Sequence, residues 1–265
     1  MSRRPTVLKV GGSVITKKRK PFTANLSAIQ RIATEVSEAK TQKLIVIHGG
    51  GSFGHPLAKQ YSIMEGYKGE KSQLLGFSKT HEAMIALNKL VLNALIQHNI
   101  PAVTVSPSSC IVTKSGRITT PINAPLKELI DREFVPLLYG DTVLDTDLGF
   151  TILSGDQLAA YLAVQLGAER IVMGIDEDGL FDEDPKTSKS AHLLSECALH
   201  ELKEMRQRMR AESSTDVTGG MLGKIIELVP AIEKGIPALI VNAAKPRSVY
   251  KALKGEEVAG TVIKK

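Results

Sequence analysis

Short apolar runs alternate with longer stretches of helical period along most of the chain, and this alternation narrows the fold more than any other feature. Thr6 to Val10, Lys43 to Ile47, Ala102 to Val105, Val135 to Tyr139, Phe150 to Leu153, Arg170 to Met173, Pro237 to Val241 and Val258 to Ile263 read as strands. Between them, Leu26, Ile29, Ile32, Ala33 and Val36 recur at helical spacing, as do apolar residues from His81 to Ile96 and from Leu158 to Leu166. Near-continuous apolar strands separated by helices predict an α/β fold, a three-layer αβα sandwich around a mainly parallel central sheet. Thr113 to Thr120, with Ser115-Gly116, predicts a small hairpin, and Leu202 to Met209 a charged surface helix. The polar stretch from Pro56 to Thr80, punctuated by Gly66, Gly69 and Gly76, predicts a mobile loop or bent helix. No repeat or low-complexity linker divides the chain. A soft boundary near Leu148 suggests two lobes, 1–148 and 149–265, of one continuous domain.

Two strands end in glycines. Thr6 to Val10 runs into Gly11-Gly12-Ser13, and Lys43 to Ile47 into His48-Gly49-Gly50-Gly51-Ser52-Phe53-Gly54-His55. Adjacent glycines allow φ > 0 and close approach of backbone amides to an anion, so both loops are candidates for holding phosphate. Lys9 interrupts an apolar strand, where it either snorkels to the surface or faces a polar cleft or a carboxylate. Asp156, in Ser154-Gly155-Asp156, stands at a helix start, where it can cap amides or serve the chemistry. Asp176 and Asp178 lie in an acidic loop running to Phe181, and Thr218-Gly219-Gly220-Met221 precedes a helix with Lys224.

The 265 residues are 43% hydrophobic and 23% charged, a composition that excludes disorder as a description of the whole chain. A net charge of +6 fits an anionic partner, yet the cations are dispersed and only 4% of residues are aromatic. With no stacking platform, small anionic ligands are expected and nucleic acid is not. Cys110 and Cys197 show no metal or redox spacing, which argues for free thiols in a reducing compartment. No stretch approaches the ~20 apolar residues of a membrane span, so a cytoplasmic protein is expected.

Familiar nucleotide signatures do not fit. The glycine loop follows the second strand, and no acidic strand end comes ~20 residues later as a dinucleotide fold requires. Gly223-Lys224 is followed by Ile225, which breaks a Walker loop, and the protein-kinase catalytic and metal-binding motifs are absent.

Taken in order, Lys9-Val10-Gly11-Gly12-Ser13, the glycine loop, Ser154-Gly155-Asp156, Asp176 to Phe181 and Thr218 to Met221 with Lys224 resemble the amino acid kinase superfamily. Gly51-Ser52-Phe53-Gly54-His55, the run from Gly11 to Lys18 and Thr215 to Met221 are similar to the isopentenyl phosphate kinase family within it. The resemblance implies ATP-dependent phosphorylation of isopentenyl phosphate in an alternative mevalonate route, by direct in-line transfer, in a homodimer. It implies that Lys9, Lys18 and Lys224 reach the transferred phosphoryl group, that Asp156 holds their ammoniums, and that a partly cationic His55 grips the acceptor phosphate.

The acceptor site would comprise Gly50, Gly51, Gly54, His55 and Gly155. ATP would meet Lys9, Gly11, Gly12, Ser13, Asp176, Asp178, Gly179, Phe181, Thr218, Gly219, Gly220, Met221 and Lys224. Mg²⁺ would come with ATP, without a dedicated protein cage. The prenyl tail needs an apolar slot, for which Met84 and Ile85 are candidates. Where the family often has a second acidic residue, this chain has Gln157. Kinases of the same fold acting on a phosphonate such as fosfomycin, on uridylate or on acetylglutamate are alternatives, as is a nucleotide-binding protein without turnover.

Overall fold

The computed structural model describes residues 4–120, 123–183, 188, 190–212 and 221–265, leaving aside the side chains of residues 123, 206–212, 221 and 222. The strands are β1 (Thr6–Val10), β2 (Leu44–His48), β3 (Ala102–Thr104), β4 (Val112–Lys114), β5 (Arg117–Ile118), β6 (Val135–Tyr139), β7 (Asp141–Asp145), β8 (Gly149–Leu153), β9 (Arg170–Ile175), β10 (Glu196–Ala198), β11 (Ala238–Asn242) and β12 (Gly260–Lys264). Eight of them form one sheet in the order β10-β12-β11-β9-β1-β2-β6-β3. All neighbours in it are parallel except β11 and β12. Every residue of β1, β2 and β6 is buried, which is why these strands read as near-continuous apolar runs, with Lys9 the charged exception.

Helices cover both faces, as the alternation predicts. Val7, Ile45 and Ile47 pack on the face beneath helix Gly155–Gln165, whereas Leu8, Val10, Leu44 and Val46 pack beneath helices Leu26–Ala39, Lys71–Gln97 and Ser248–Lys254. Because side chains alternate along a strand, Lys9 shares the Val7 face and lies under the helix whose first turn carries Asp156.

A smaller sheet, β5-β4-β7-β8, sits beside the main one. The predicted hairpin is present as β4 and β5, with Ser115 and Gly116 both at positive φ, the type I′ geometry that suits a right-handed twist. The Asp145 carboxylate gathers the amides of Ser115, Gly116, Asp147 and Leu148 and the Thr113 hydroxyl, at 2.7–3.2 Å.

The stretch from Pro56 to Thr80 is more regular than predicted. Helix Gly51–Gln60 takes up the end of the glycine loop, a 3₁₀ turn follows at Ile63–Glu65, and the next helix begins at Lys71, ten residues before His81. Gly76 inside that helix is required by contact, since a Cβ there would stand 2.3 Å from the Tyr61 side chain. The charged helix spans Leu199–Glu212, and β7 and β10 are strands that the sequence pattern did not predict.

Candidate active site

Parallel register aligns the carboxyl ends of β9, β1 and β2, with Val10 opposite both Gly174 and His48. The chain order departs from β1 in opposite directions across the sheet, so these ends form the crevice where open α/β sheets hold ligands. There β1 delivers Gly11-Gly12-Ser13, β2 the glycine loop, and β9 Asp176. Ser154-Gly155-Asp156 follows β8. The result is a cleft of about 960 Å³ lined by Lys9, Ser13, Lys18, His55, Asp156 and Lys224, together with both glycine loops.

The two loops touch through backbone. A Cβ on Gly12 would lie 2.2 Å from the Gly51 nitrogen, so no larger residue fits while the loops keep this contact. Of the three adjacent glycines only Gly51 takes positive φ, at 49°, while Gly50 is right-handed. Thr16 bonds the pieces together, donating to Gly12 O at 2.7 Å and accepting from the Ser52 amide at 3.0 Å. The Met84 sulfur closes the other side, 3.0 Å and 2.9 Å from where Cβ atoms of Gly50 and Gly54 would be.

Lys9 is 3% exposed and its Nζ lies 2.5 Å from Asp156 Oδ1. Burial of an ammonium is offset by this close counter-ion, so the lysine faces a carboxylate and does not snorkel. The helix cap belongs to Ser154, which accepts from the Gln157 amide and leaves the Asp156 carboxylate to the lysine. Asp156 does not hold every ammonium, however. Lys18 pairs with Asp176 Oδ2 at 2.5 Å, and among the described residues no carboxylate pairs with Lys224.

His55 stands at the cleft rim. Burial lowers its pKa from the usual histidine value, the Lys224 and Lys9 ammoniums lower it further, and Asp156 opposes them. The ring is therefore held toward neutrality, away from the partly cationic state expected, first by burial and then by the neighbouring ammoniums. The Gly54 amide, expected to face the acceptor, is bonded to Gly50 O at 3.3 Å within its own helix. Gly54 thus lines the wall by its small size.

His48, which opens the loop, is buried and stacked on Tyr139 with ring centroids 5.5 Å apart. Its Nδ1 lies 3.2 Å from Gly49 O and its Nε2 3.2 Å from Asn88 Oδ1. Desolvation outweighs these contacts and lowers its pKa to about 4.

Gly11, Gly12, Ser13, Gly50, Gly51, Gly54, Gly155 and Asp176 line the cleft with the lysines and His55. Asp178, Gly179 and Phe181 are not among its lining residues. Asp178 is engaged by Asn242 at 2.8 Å and Lys245 at 2.6 Å, the Leu180 amide donates to Thr261, and Phe181 bridges to Leu193, so this loop is tied to the β11 and β12 side. Thr218, Gly219 and Gly220 lie outside the described residues. Met221 opens helix Met221–Ile226, which carries Lys224.

Gln157 points away from the cleft and pins the hairpin, accepting from Ile118 N at 3.2 Å and donating to Gly116 O at 3.0 Å. Met84 lines the cleft, but Ile85, one position round the helix, is 46% exposed and is not part of the lining. Sequence reasoning missed Thr16, Thr80, Gly140, Ile152 and Glu177 as lining residues. Thr16, four residues after Gly12, carries the one signal available, the spacing at which a hydroxyl bonds back to a carbonyl.

The model of the amino acid kinase family matches residues 4–242. This chain belongs to the amino acid kinase family. It is 40% identical to isopentenyl phosphate kinase of Methanothermobacter thermautotrophicus, over 97% of this chain and 98% of that one. The enzyme of the same name from Methanocaldococcus jannaschii is 35% identical over 97% and 98%. A solved structure described as isopentenyl phosphate kinase superposes with a TM-score of 0.85 at 37% identity, covering 97% of this chain and 99% of the other. Within the amino acid kinases, the chain is a member of the isopentenyl phosphate kinases.

Proposed function

We propose that this protein transfers the γ-phosphoryl group of ATP directly to the phosphate of isopentenyl phosphate, giving isopentenyl diphosphate and ADP. The observation that carries the chemistry is the buried Lys9–Asp156 pair, set where the two glycine loops meet and facing a cleft shared with His55 and Lys224. Bringing two phosphate groups together is mainly a problem of alignment and charge. The acceptor monoester, with its second pKa near ~6, is largely dianionic at neutral pH and needs no general base.

Lys9 supplies a fixed positive charge beneath the migrating group, and Asp156 keeps its ammonium in place. Lys224 and Lys18 add charge from the two sides of the cleft. His55, with the amides of Gly50 and Gly51, orients the acceptor phosphate. A neutral imidazole still donates one hydrogen bond, which suffices for that role. Gly11, Gly12 and Ser13 lie where the nucleotide phosphates pass, and residues 1–148 and 149–265 divide into acceptor and ATP lobes.

Met84, Ala58, Ile152 and Leu153 are apolar residues of the cleft lining, and we assign the hydrocarbon tail to them. Among the described residues no group of three or more His, Cys, Asp or Glu could hold a metal. Mg²⁺ would arrive with ATP and be held by phosphate oxygens and water, with Glu177 suited to outer contact with its waters. When bound, it screens the charge on the phosphates. We further propose a cytoplasmic homodimer. No described helix is long and apolar enough to cross a membrane.

The test is ADP release from Mg-ATP with isopentenyl phosphate, uridylate, acetylglutamate and fosfomycin as separate acceptors. Turnover on isopentenyl phosphate well above the other acceptors is expected. Preference for fosfomycin would keep the site but change the substrate, and silence on all four would overturn the catalytic reading.

A further inference from the structure

We infer that Asp176 is a positioning residue that holds the Lys18 ammonium at the mouth of the cleft, ready to be handed to the migrating phosphoryl group. This rests on the kinase reading above and assigns Asp176 a task other than contact with adenosine or metal. Lys18 is 65% exposed and sits on a basic turn with Lys17, Arg19 and Lys20 as neighbours. An exposed pair of this kind adds little to stability, so its consequence is geometric. A free lysine side chain would lose much rotamer freedom on meeting a phosphate, and a partner that already points it at the cleft removes part of that cost.

Three observations support the arrangement. Asp176 is itself held: the Ser13 hydroxyl donates to its Oδ1 at 2.7 Å while Lys18 takes Oδ2 at 2.5 Å, so its two oxygens have separate duties. Burial would raise the carboxyl pKa, but the Lys18 and Ser13 contacts outweigh it and keep the group ionised.

The turn is also anchored. The Lys17 amide donates to Thr23 O at 2.9 Å and the Phe22 amide to Ser52 O at 3.0 Å, fixing the turn to the glycine-loop helix. Phe22 has φ 51°, a strained value for a bulky residue, and its ring meets Phe53 edge-on at 6.2 Å. Finally, the charges are portioned out. Lys9 has Asp156, Lys18 has Asp176, and Lys224 is without an ion-pair partner among the described residues. The Lys18 pair joins the turn tied to the acceptor loop to the end of β9, and so spans the cleft from the acceptor side to the nucleotide side.

The experiment is a double-mutant cycle on the full chain, read as kcat and KM for both substrates with isopentenyl phosphate and saturating Mg-ATP. Wild-type turnover comes first, and its absence would sink the kinase reading itself. With turnover present, Asp176→Asn is expected to lower kcat about tenfold while moving either KM less than about threefold. Lys18→Met is expected to cost about a hundredfold, and the double variant to be no slower than Lys18→Met alone. Asp176→Glu should recover part of the loss.

Should Asp176→Asn fold poorly, Ser13→Ala replaces it, with a loss of kcat that disappears in the Lys18→Met background. Multiplicative losses in the double variant would overturn the inference, as would wild-type kcat in Asp176→Asn. Recovery of Asp176→Asn by excess Mg²⁺ would overturn it as well, since it would make the carboxylate a partner of the ion.

Discussion

At the scale of single residues, two histidines on one loop answer acid in different ways. His55 is held toward neutrality by burial and then by Lys224 and Lys9. A dianionic acceptor would reverse that balance and draw a proton onto the ring. Acceptor binding is therefore expected to take up more protons in wild type than in His55→Gln, measured by calorimetry in buffers of different ionisation enthalpy. Equal uptake would remove the ring from the acceptor site.

His48 is buried and its pKa falls to about 4, so the unfolded chain binds the extra proton between the ordinary histidine value and that point. Stability should fall with acidification through that window, by roughly 3 kcal/mol from pH 7 to 4. His48→Gln should lack this component in urea titrations at the two pH values. Lys9 was legible because a charge in a buried strand has to find a counter-charge. Its partner followed only when the strand face and the helix start were known. Lys18 with Asp176 was not legible, because a basic turn has no periodicity and the two residues lie far apart in the chain.

At the scale of elements, the contacts that matter are backbone contacts between loops and a carboxylate that organises the small sheet. Gly12→Ala would drive a methyl into the Gly51 backbone, and a shift of about 1 Å there is expected to cost about a hundredfold or more in kcat. Retained activity in steady-state assays would show that the loops can part freely. Burial of Asp145 opposes ionisation, but the Gly116 and Leu148 amides, the Thr113 hydroxyl and the Asp147 amide prevail and hold its pKa at about 2. Its contribution is present above the unfolded carboxylate value and is lost as pH falls through about 2. Asp145→Ala leaves several amides unpaired and is expected to destabilise by about 2–4 kcal/mol in denaturant unfolding at neutral pH.

The same carboxylates explain why β7 was hidden. Asp141 and Asp145 stand at its ends, and neighbouring amides together with distant partners, Ser108 and His81 for one and the hairpin for the other, make their burial tolerable. Gly76 concealed the start of helix Lys71–Gln97 in a similar way, since its purpose is to admit Tyr61 from another element. The strands of the main sheet other than the edge strand β10 were readable because burial on both faces writes itself into consecutive residues. Of the acidic loop after β9, Asp176 lines the cleft. Asp178, Gly179 and Phe181 are committed to neighbours that a linear motif does not reveal.

At the scale of the whole molecule, a site assembled from both halves of the chain couples binding to stability. Ligands that bind only the folded state add about 2.7 kcal/mol at a hundred times Kd, which for this size raises Tm by about 5 °C or more. Mg-ATP and isopentenyl phosphate should each produce such a rise in a thermal unfolding experiment, and no shift with either would contradict a shared preformed cleft.

The placement of β1 carries one more consequence. It is stitched by five register pairs to β2 on one flank and by five to β9 on the other, so the strand bearing Lys9 is part of a common spine. A hinge needs a line of few bonds, and none passes through the reacting centre. Displacing Lys9 would break the ladders on both flanks at once, so its ammonium stays where the sheet sets it. The sheet is thus an anvil for the reaction: the charge on β1 is built in, and the ligands have to come to it.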